Sequence, residues 1–169
     1  MLLPIEKYGS PVLRTVSAPI KNIDGYVVAL AQNMLETMYA APGVGLAAPQ
    51  IGVNLRLLTT DVSSGKEPHQ RIIIANPEIV EVAGEQNGEE GCLSIPDFSE
   101  KVRRPQRIVV KGISLDEKEL IIEAEDLLAR CFCHEVDHLN GIFFLDHLSA
   151  IKRGLITRKL KHLIKDGKW

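Results

Sequence analysis

Apolar residues recur at helical spacing near the start of the chain. In the segment from about Gly25 to Ala41, they fall three or four positions apart, at Val27, Leu30, Met34, Leu35 and Met38. Pro42 and Gly43 end the run. This pattern predicts an amphipathic helix with one buried face.

The middle of the chain has a different pattern, with short β-rich runs separated by turn residues. The predicted strands are Leu55–Thr60, Arg71–Ala75, Ile79–Val82, Arg107–Ile113 and Leu120–Ala124. A second helix is predicted from about Ala124 to Asn140, with Gly141 as its C-cap, and a third from about Ser149 to Lys165. Because strands and helices do not alternate regularly, the order predicts an α+β fold with mostly antiparallel sheets.

Length and composition narrow the class of protein further. The 169 residues fit one domain, residues 1–169, and the net charge of −2 gives no reason to expect DNA as a partner. The N-terminus lacks the pattern of a secretory signal, and no stretch is long enough to span a membrane. Three cysteines, an odd number, favour free thiols or a metal ligand in a reducing cytoplasm over disulfides.

The strongest chemical signal is His134-Glu135-Val136-Asp137-His138. Histidines at positions i and i+4 share one face of a helix, so both rings can reach one metal ion. Glu135 and Asp137 flank that face about equally, at 100° per residue, so periodicity alone leaves the general base open. The longer side chain of Glu135 favours it over Asp137.

A third protein ligand must come from elsewhere in the chain. Phe144 stands where a third histidine would follow in a metzincin, whereas Cys92 lies upstream among turn and strand residues. Cys131 and Cys133 compete with Cys92, but they precede His134 on the same helix and are more simply core residues. Cys92 is therefore the preferred candidate.

A third segment, Gly43-Val44-Gly45-Leu46-Ala47-Ala48-Pro49-Gln50, is rich in small residues. Its glycines and alanines allow another chain or a ligand to approach the backbone closely. Gln50 can donate an amide hydrogen bond to a developing oxyanion. Taken alone, this signal is weak, because a tight turn after a helix, with small residues for packing, gives the same pattern.

Together, the three segments resemble the three motifs of the peptide deformylase family: Gly43–Gln50, the run Glu-Gly-Cys-Leu-Ser that ends at Ser94, and His134–His138. The resemblance extends to Gly9–Arg14, Asn76-Pro77 and Leu145–Leu148, and so spans nearly the whole chain, in the compact bacterial form. It implies mostly antiparallel sheets packed around a central helix that carries the two histidines, with an N-terminal and a C-terminal helix.

The resemblance also implies an activity: metal-dependent hydrolysis of the N-formyl group from the initiator methionine of nascent polypeptides, with release of formate. A glutamate assists attack by a metal-bound water. The implied metal ligands are Cys92, His134 and His138, the catalytic groups are Glu135, Gln50 and the Leu93 amide, and the substrate contacts are Gly45 and Gly91. Fe²⁺ is the expected ion, and Zn²⁺ or Ni²⁺ can substitute for it.

Three positions depart from the family pattern. Cys133 replaces a glutamine that usually precedes the first histidine, the stretch around Ser99 lacks a common arginine, and Arg130 replaces an apolar residue that often lines the methionine pocket. These departures leave the side-chain preference of the site open. A general metalloprotease remains the alternative enzyme, and a structural metal site in a binding module is the alternative without catalysis.

The last predicted helix is strongly basic. Its stretch contains Lys152, Arg153, Arg158, Lys159, Lys161, Lys165 and Lys168, against the single acid Asp166. Apolar residues at Leu155, Ile156, Leu160, Leu163 and Ile164 are expected to pack one face. The basic face is either simply solvated or a docking surface for the ribosome, whose surface is rich in RNA phosphate.

Overall fold

The first helix begins at an aspartate cap in the computed structural model, which describes Met1 to Trp169. Helix α1 spans Gly25–Ala40. The Asp24 side chain accepts a hydrogen bond from the Val27 amide at 3.0 Å, satisfying one of the amides that a helix start leaves free. The predicted apolar stripe is buried, and the helix ends one residue before the predicted Ala41.

Seven strands carry the sheets. In chain order they are β1 (Gly45–Ala47), β2 (Leu57–Thr60), β3 (Ile72–Ala83), β4 (Gln86–Cys92), β5 (Ile95–Arg104), β6 (Arg107–Ile113) and β7 (Glu119–Glu125). Five of them form one sheet in the order β1-β2-β3-β6-β7, and β4 pairs with β5 separately. All pairings are antiparallel, which confirms the predicted α+β class.

Strand β3 joins two segments that were predicted to be separate strands. Its pairing with β6 slips between Ala75 and Glu78 and again between Ile79 and Glu81, so the side-chain alternation is interrupted there. Asn76 has a φ of 50°, and its side chain forms hydrogen bonds with both backbone groups of Ile20 at 2.8–2.9 Å. The bulge therefore explains why the sequence resembles two strands.

The prediction missed β1 and the β4–β5 hairpin. Strand β4 contains no large apolar residue, and the buried positions of the hairpin include the charged residues Glu90 and Arg104. Strands that are held by backbone pairing and a buried ion pair lack the alternating apolar signal on which the prediction depends.

The central helix α2 spans Asp126–Leu139. It begins later than predicted because Ala124 and Glu125 still pair with β6 at the end of β7. Gly141 follows the helix with a φ of +73°, and a Cβ atom there would lie 2.9 Å from the carbonyl carbon of Arg14. One face of α2 packs against the five-stranded sheet through a buried cluster that includes Phe132, Val136, Leu139, Leu58, Ile74 and Ile108.

The C-terminal helix α3 spans Ala150–Lys165 and starts at Ser149, whose hydroxyl accepts from the Lys152 amide at 3.3 Å. Ile156 and Leu160 are buried and Leu163 is half-buried, so the expectation that five apolar residues pack one face is wrong for Leu155 and Ile164. Leu155 and Ile164 are 54% and 42% exposed because the helix touches the rest of the fold along a narrow stripe. None of the helices has the length and apolarity that crossing a membrane requires.

Candidate metal centre

Three side chains with metal-binding atoms converge between α2 and the end of β4. The Cys92 sulfur lies 3.2 Å from Nε2 of His138, and Nε2 of His138 lies 3.2 Å from Nε2 of His134. All three donor atoms fall within 4.8 Å of one another. The two histidines are one helical turn apart, and Cys92 reaches them from the tight turn that joins β4 to β5.

The surroundings of His134 prepare one of its nitrogens for a metal ion. Its Nδ1 lies 2.8 Å from a carboxylate oxygen of Glu90, which fixes the proton on Nδ1 and leaves the Nε2 lone pair facing Cys92 and His138. Two imidazole nitrogens and a thiol sulfur that face one another at this spacing match the donors of a transition metal such as iron or zinc. The residues therefore fit a single divalent ion.

The other two cysteines lie outside this cluster. The Cys131 thiol donates to the carbonyl of Val44 at 3.4 Å, and Cys133 packs in the apolar cluster beneath the sheet. Burial raises the pKa of Cys133 to about 11, which disfavours the thiolate that metal binding needs. The geometry separates Cys92 from its two competitors.

The two acidic residues between the histidines have different partners. Asp137 accepts from Arg104 at 2.7 Å and lies 2.7 Å from Nε2 of His147. Glu135 forms no ion pair, and its buried Oε2 has no hydrogen-bond partner. Burial raises the pKa of Glu135 to about 7. Of the two, only Glu135 has a carboxylate that no ion pair holds, which leaves it available to exchange a proton.

Gly45 of β1 faces Glu135 across the site. A Cβ atom at Gly45 would lie 2.6 Å from Oε1 of Glu135 and 2.7 Å from the Cys131 sulfur, closer than real side chains approach. Only glycine fits there without displacing Glu135. The absence of a side chain at Gly45 thus lets β1 pack closely against α2 of the same chain.

Gln50 is buried, and its amide orientation is fixed from both ends. Its Oε1 accepts from the Ala47 amide at 2.9 Å, while its Nε2 lies 3.3 Å from the Ser94 hydroxyl and 3.6 Å from the Cys92 sulfur. The fixed Oε1 acceptor means that the NH₂ group points toward the metal-binding atoms. A donor held in this way needs little reorganisation to bind a developing negative charge.

A cavity of about 590 Å³ opens over the cluster. Seven of the eight predicted site residues line it, namely Gly45, Gln50, Gly91, Cys92, Leu93, His134 and Glu135. His138 lies beneath them and is buried. Apolar side chains, including Ile95, Phe98 and Leu127, form part of the wall. The cavity therefore has metal-binding and catalytic groups on one side and an apolar wall on another.

Two residues that support the site were not predicted from the sequence. Glu90 binds His134, and Arg104 binds both Glu90 and Asp137. Glu90 precedes Gly91 in the second motif and could have been suspected from that position. Arg104 carries no local signal, because its importance depends on the pairing of β4 with β5.

Comparison with known proteins identifies the family. Residues 2–154 match the family model described as polypeptide deformylase. A peptide deformylase from Acidobacterium capsulatum is 43% identical over 169 residues, covering 100% of this chain and 99% of that protein. One from Rhizobium meliloti is 49% identical over 156 residues, covering 92% and 90%. The chain belongs to the polypeptide deformylase family.

Solved structures agree with this assignment. The crystal structure of a peptide deformylase from Legionella pneumophila has a TM-score of 0.90 and 42% identity, covering 98% of this chain and 96% of that one. Peptide deformylase from Ehrlichia chaffeensis, solved in complex with actinonin, has a TM-score of 0.87 and 37% identity, covering 95% and 96%. These likenesses confirm the predicted fold and support a deformylase over a general metalloprotease.

Proposed function

We propose that this chain, as one catalytic domain, hydrolyses the N-formyl group of the initiator methionine on nascent polypeptides and releases formate. One observation carries the proposal: in a member of the polypeptide deformylase family, three metal-binding atoms lie together at the base of a cavity that is also lined by Glu135, whose carboxylate forms no ion pair. The chain is accordingly a hydrolase, and its family is metal-dependent.

Cys92, His134 and His138 would hold the ion in this site. When bound, a divalent metal supplies Lewis acidity, which lowers the pKa of water toward neutrality and polarises the formyl carbonyl. Three protein donors are the number that catalytic sites for such ions supply, so a bound ion would keep a place for water or substrate.

The chain's own residues handle the proton and the charge. Glu135 accepts a proton from the attacking water and delivers it to the leaving amine nitrogen, so that the amide and water become formate and a free amino terminus. Nε2 of Gln50 and the Leu93 amide donate to the formyl oxygen as negative charge develops on it. Gly45 and Gly91 offer backbone groups to the peptide, and the apolar wall takes the methionine side chain.

The decisive experiment measures formate release from a formyl-Met-Ala-Ser peptide by anaerobically purified protein. The matched substrates are acetyl-Met-Ala-Ser, whose extra methyl group tests whether the site admits only a formyl carbon, and casein, which tests for general proteolysis. We expect rapid formate release, little deacetylation and no casein cleavage. Casein cleavage without formate release would contradict the proposal and favour a general metalloprotease.

We propose Fe²⁺ as the resident ion, with Zn²⁺ or Ni²⁺ able to replace it. The mixed sulfur and nitrogen donors suit all three metals, and the family resemblance favours iron. Because both Fe²⁺ and a thiolate are oxidisable, the iron form should lose activity in air and keep it under argon, while the Ni²⁺ form should survive in both. Equal lifetimes of the iron form in air and argon would count against iron.

We also propose that α3 docks on the ribosome, which places the enzyme in the cytoplasm. Arg153, Arg158 and Lys161 form no ion pair, and with Arg14 they surround a surface depression of about 630 Å³. Ile151 and Leu155 on the same helix are 78% and 54% exposed. Unpaired cations beside exposed apolar side chains suit a partner that combines RNA phosphate with protein.

Co-sedimentation with ribosomes tests this docking. The protein should sediment with ribosomes at low salt and dissociate at moderate salt, because phosphate contacts release counterions. The variant Lys159→Glu/Lys161→Glu should lose binding. Lys21→Glu/Lys66→Glu, which makes the same change of charge at two exposed positions outside α3, is the matched control. Equal loss of ribosome binding in both variants would show that binding depends on net charge alone, and would contradict a specific docking surface on α3.

A further inference from the structure

Arg130 lies on α2 one turn before His134 and is buried, although the family often has an apolar residue at this position. Its Nη1 donates to Oε2 of Glu90 at 2.7 Å and to the Val102 carbonyl at 2.9 Å, and its Nη2 donates to Gln86 at 3.3 Å. The guanidinium therefore faces the β4–β5 hairpin at the edge of the cavity, which Arg130 helps to line, and both of its terminal nitrogens donate to protein groups.

The hairpin accommodates this guanidinium closely. A Cβ atom at Gly88 of β4 would lie 3.2 Å from Nη2 of Arg130, so a glycine stands where the guanidinium approaches the strand. A charged group packed against backbone, with a carboxylate and a carbonyl as acceptors, is held in one orientation. It has little freedom to turn toward a substrate.

Glu90 is the group through which Arg130 reaches the metal centre. Its Oε1 contacts Nδ1 of His134 at 2.8 Å and accepts from Nη2 of Arg104 at 2.9 Å. Its Oε2 accepts from Nε of Arg104 at 2.8 Å and from Arg130. One buried carboxylate is thus shared by two guanidinium groups and one of the histidines proposed to bind metal.

We propose that Arg130 is a positioning residue of the metal centre: it holds Glu90 against His134 and so sets the orientation and donor strength of that ligand. A carboxylate that hydrogen-bonds the far nitrogen of a metal-binding histidine fixes its ring and raises its basicity. A second guanidinium on the same carboxylate restrains it and draws its charge away from the imidazole. The departure at position 130 therefore acts on the metal centre through Glu90, although Arg130 also lines the cavity.

The test compares Arg130→Met, which keeps an unbranched apolar stem but removes the guanidinium with its charge and donors, with Arg103→Met. Arg103 is the neighbouring arginine on β5; its side chain is 78% exposed and it has no contact with Glu90. Zn²⁺ affinity is measured by competition with a chromophoric chelator. We expect Arg130→Met to change the dissociation constant by about tenfold or more, the range typical of such supporting groups, and Arg103→Met to leave it unchanged.

A second readout follows His134 directly. In the ¹⁵N-labelled, Zn²⁺-loaded protein, the Nδ1–H resonance of His134 should shift in Arg130→Met and stay in place in Arg103→Met. In peptide assays, kcat should change while the KM ratio between formyl-Met and formyl-norleucine substrates stays constant. If Arg130→Met does not fold, Arg130→Lys, which keeps the cation and one donor, should show the same changes at smaller amplitude.

A double-mutant cycle tests the proposed route through Glu90. In a Glu90→Gln background, Arg130→Met should have much less effect on Zn²⁺ affinity than it has alone, because the carboxylate that links it to His134 is gone. Unchanged Zn²⁺ affinity and an unchanged His134 signal in Arg130→Met, with an altered preference for the first side chain, would overturn the inference and make Arg130 a specificity residue.

The inference rests on the proposed metal site, and its failure is distinguishable from failure of that site. If the parent protein binds no Zn²⁺, the proposed function fails. If the parent and Arg103→Met bind Zn²⁺ and Arg130→Met binds it equally well with the same His134 signal, only the role of Arg130 fails.

Discussion

Helices α2 and α3 are similar in length but meet very different surroundings. Ten of the fourteen residues of α2 are buried, whereas two of the sixteen residues of α3 are. The charged groups of α2 are each held by a partner or aimed at the site, while most cations of α3 face solvent without an ion pair. Burial costs a charged group its hydration, so buried charges need partners that exposed ones do not.

This contrast shows which contacts hold the metal-binding side chains in fixed orientations. His134 is oriented by Glu90, which is itself fixed by Arg104 and Arg130. No comparable support surrounds a cation on α3, where Lys152 makes a single contact with Glu100 at 3.2 Å. Substitutions on α2 should therefore lower the rate of hydrolysis. Substitutions on α3 should instead lower the free energy of unfolding or weaken binding to ribosomes.

The largest loss of activity is expected from removing Cys92, the metal ligand that β4 contributes beside the two histidines of α2. Cys92→Ala should lose bound metal and most activity, because two histidines alone leave the ion with too few protein ligands. Cys131→Ala and Cys133→Ala serve as matched controls and should keep both. Metal analysis by mass spectrometry provides the measurement, and full occupancy in Cys92→Ala would overturn the ligand assignment.

Loss of the unpaired carboxylate should be the next largest effect. Glu135→Ala should keep near-stoichiometric metal while its rate falls by about 10²–10⁴-fold, the typical contribution of a general acid–base group. The control is Asp137→Asn, which should cost less rate and more stability, since Asp137 binds Arg104 and His147. An inactive Asp137→Asn beside an active Glu135→Ala would reverse the two roles.

Part of this arrangement could be predicted from sequence because it is local. The spacing of His134 and His138 places both on one helix face, and Arg107–Ile113 was predicted with its observed bounds. Glu135 and Asp137 could not be separated by periodicity, because the difference between them is their partners. Those partners come from β5 and from the segment after α2, which a helical wheel does not contain.

The buried ion pair that supports His134 could not be predicted, because it forms only when two strands pair. Glu90 and Arg104 face each other only after β4 and β5 align, and the hairpin has no alternating apolar pattern. The long strand β3 was divided in two because its bulge at Asn76 interrupts the alternation. The narrow packing of α3 was missed since helical spacing shows that a face is apolar, and tertiary structure decides how much of it is covered.

On α3, the largest expected effect concerns stability. Leu160 is fully buried in the cluster with Phe144 and Leu145, so Leu160→Ala should lower the free energy of unfolding by about 2–5 kcal/mol. Leu155→Ala, at a position 54% exposed on the same helix, is the control and should change it by about 0.5 kcal/mol or less. Urea denaturation measures both, and equal losses would contradict the narrow packing stripe.

A smaller effect is expected at the junction between the two helices. Burial raises the pKa of Asp146, but hydrogen bonds from Arg14 and from the Phe143 amide outweigh it and bring the pKa below its ordinary value of 3.8. Because the folded pKa is the lower one, this stabilisation is present above pH 3.8 and is lost as the pH falls through the folded value.

Asp146→Asn should therefore flatten the acid limb of the curve of unfolding free energy against pH. Denaturant unfolding at a series of pH values from neutral to acidic gives the measurement. Asp166→Asn, an exposed acid at the end of α3 that forms no ion pair, is the control and should leave the acid limb as it is in the parent protein. An identical acid limb in Asp146→Asn would show that this carboxylate contributes no pH-dependent stability.

The smallest effect on catalysis should come from the basic face of α3. No residue after Glu135 lines the cavity, and Lys159 and Lys161 form no ion pair with β5, so nothing connects them directly to the reacting groups. At an ionic strength near 0.1 M, charges separated by more than about 10 Å are largely screened. Lys159→Glu/Lys161→Glu should therefore hydrolyse a formyl tripeptide at the parent rate, even where it no longer sediments with ribosomes. A loss of kcat that accompanies the loss of ribosome binding in this variant would mean that α3 is coupled to α2. The contrast between the two helices would then have to be abandoned.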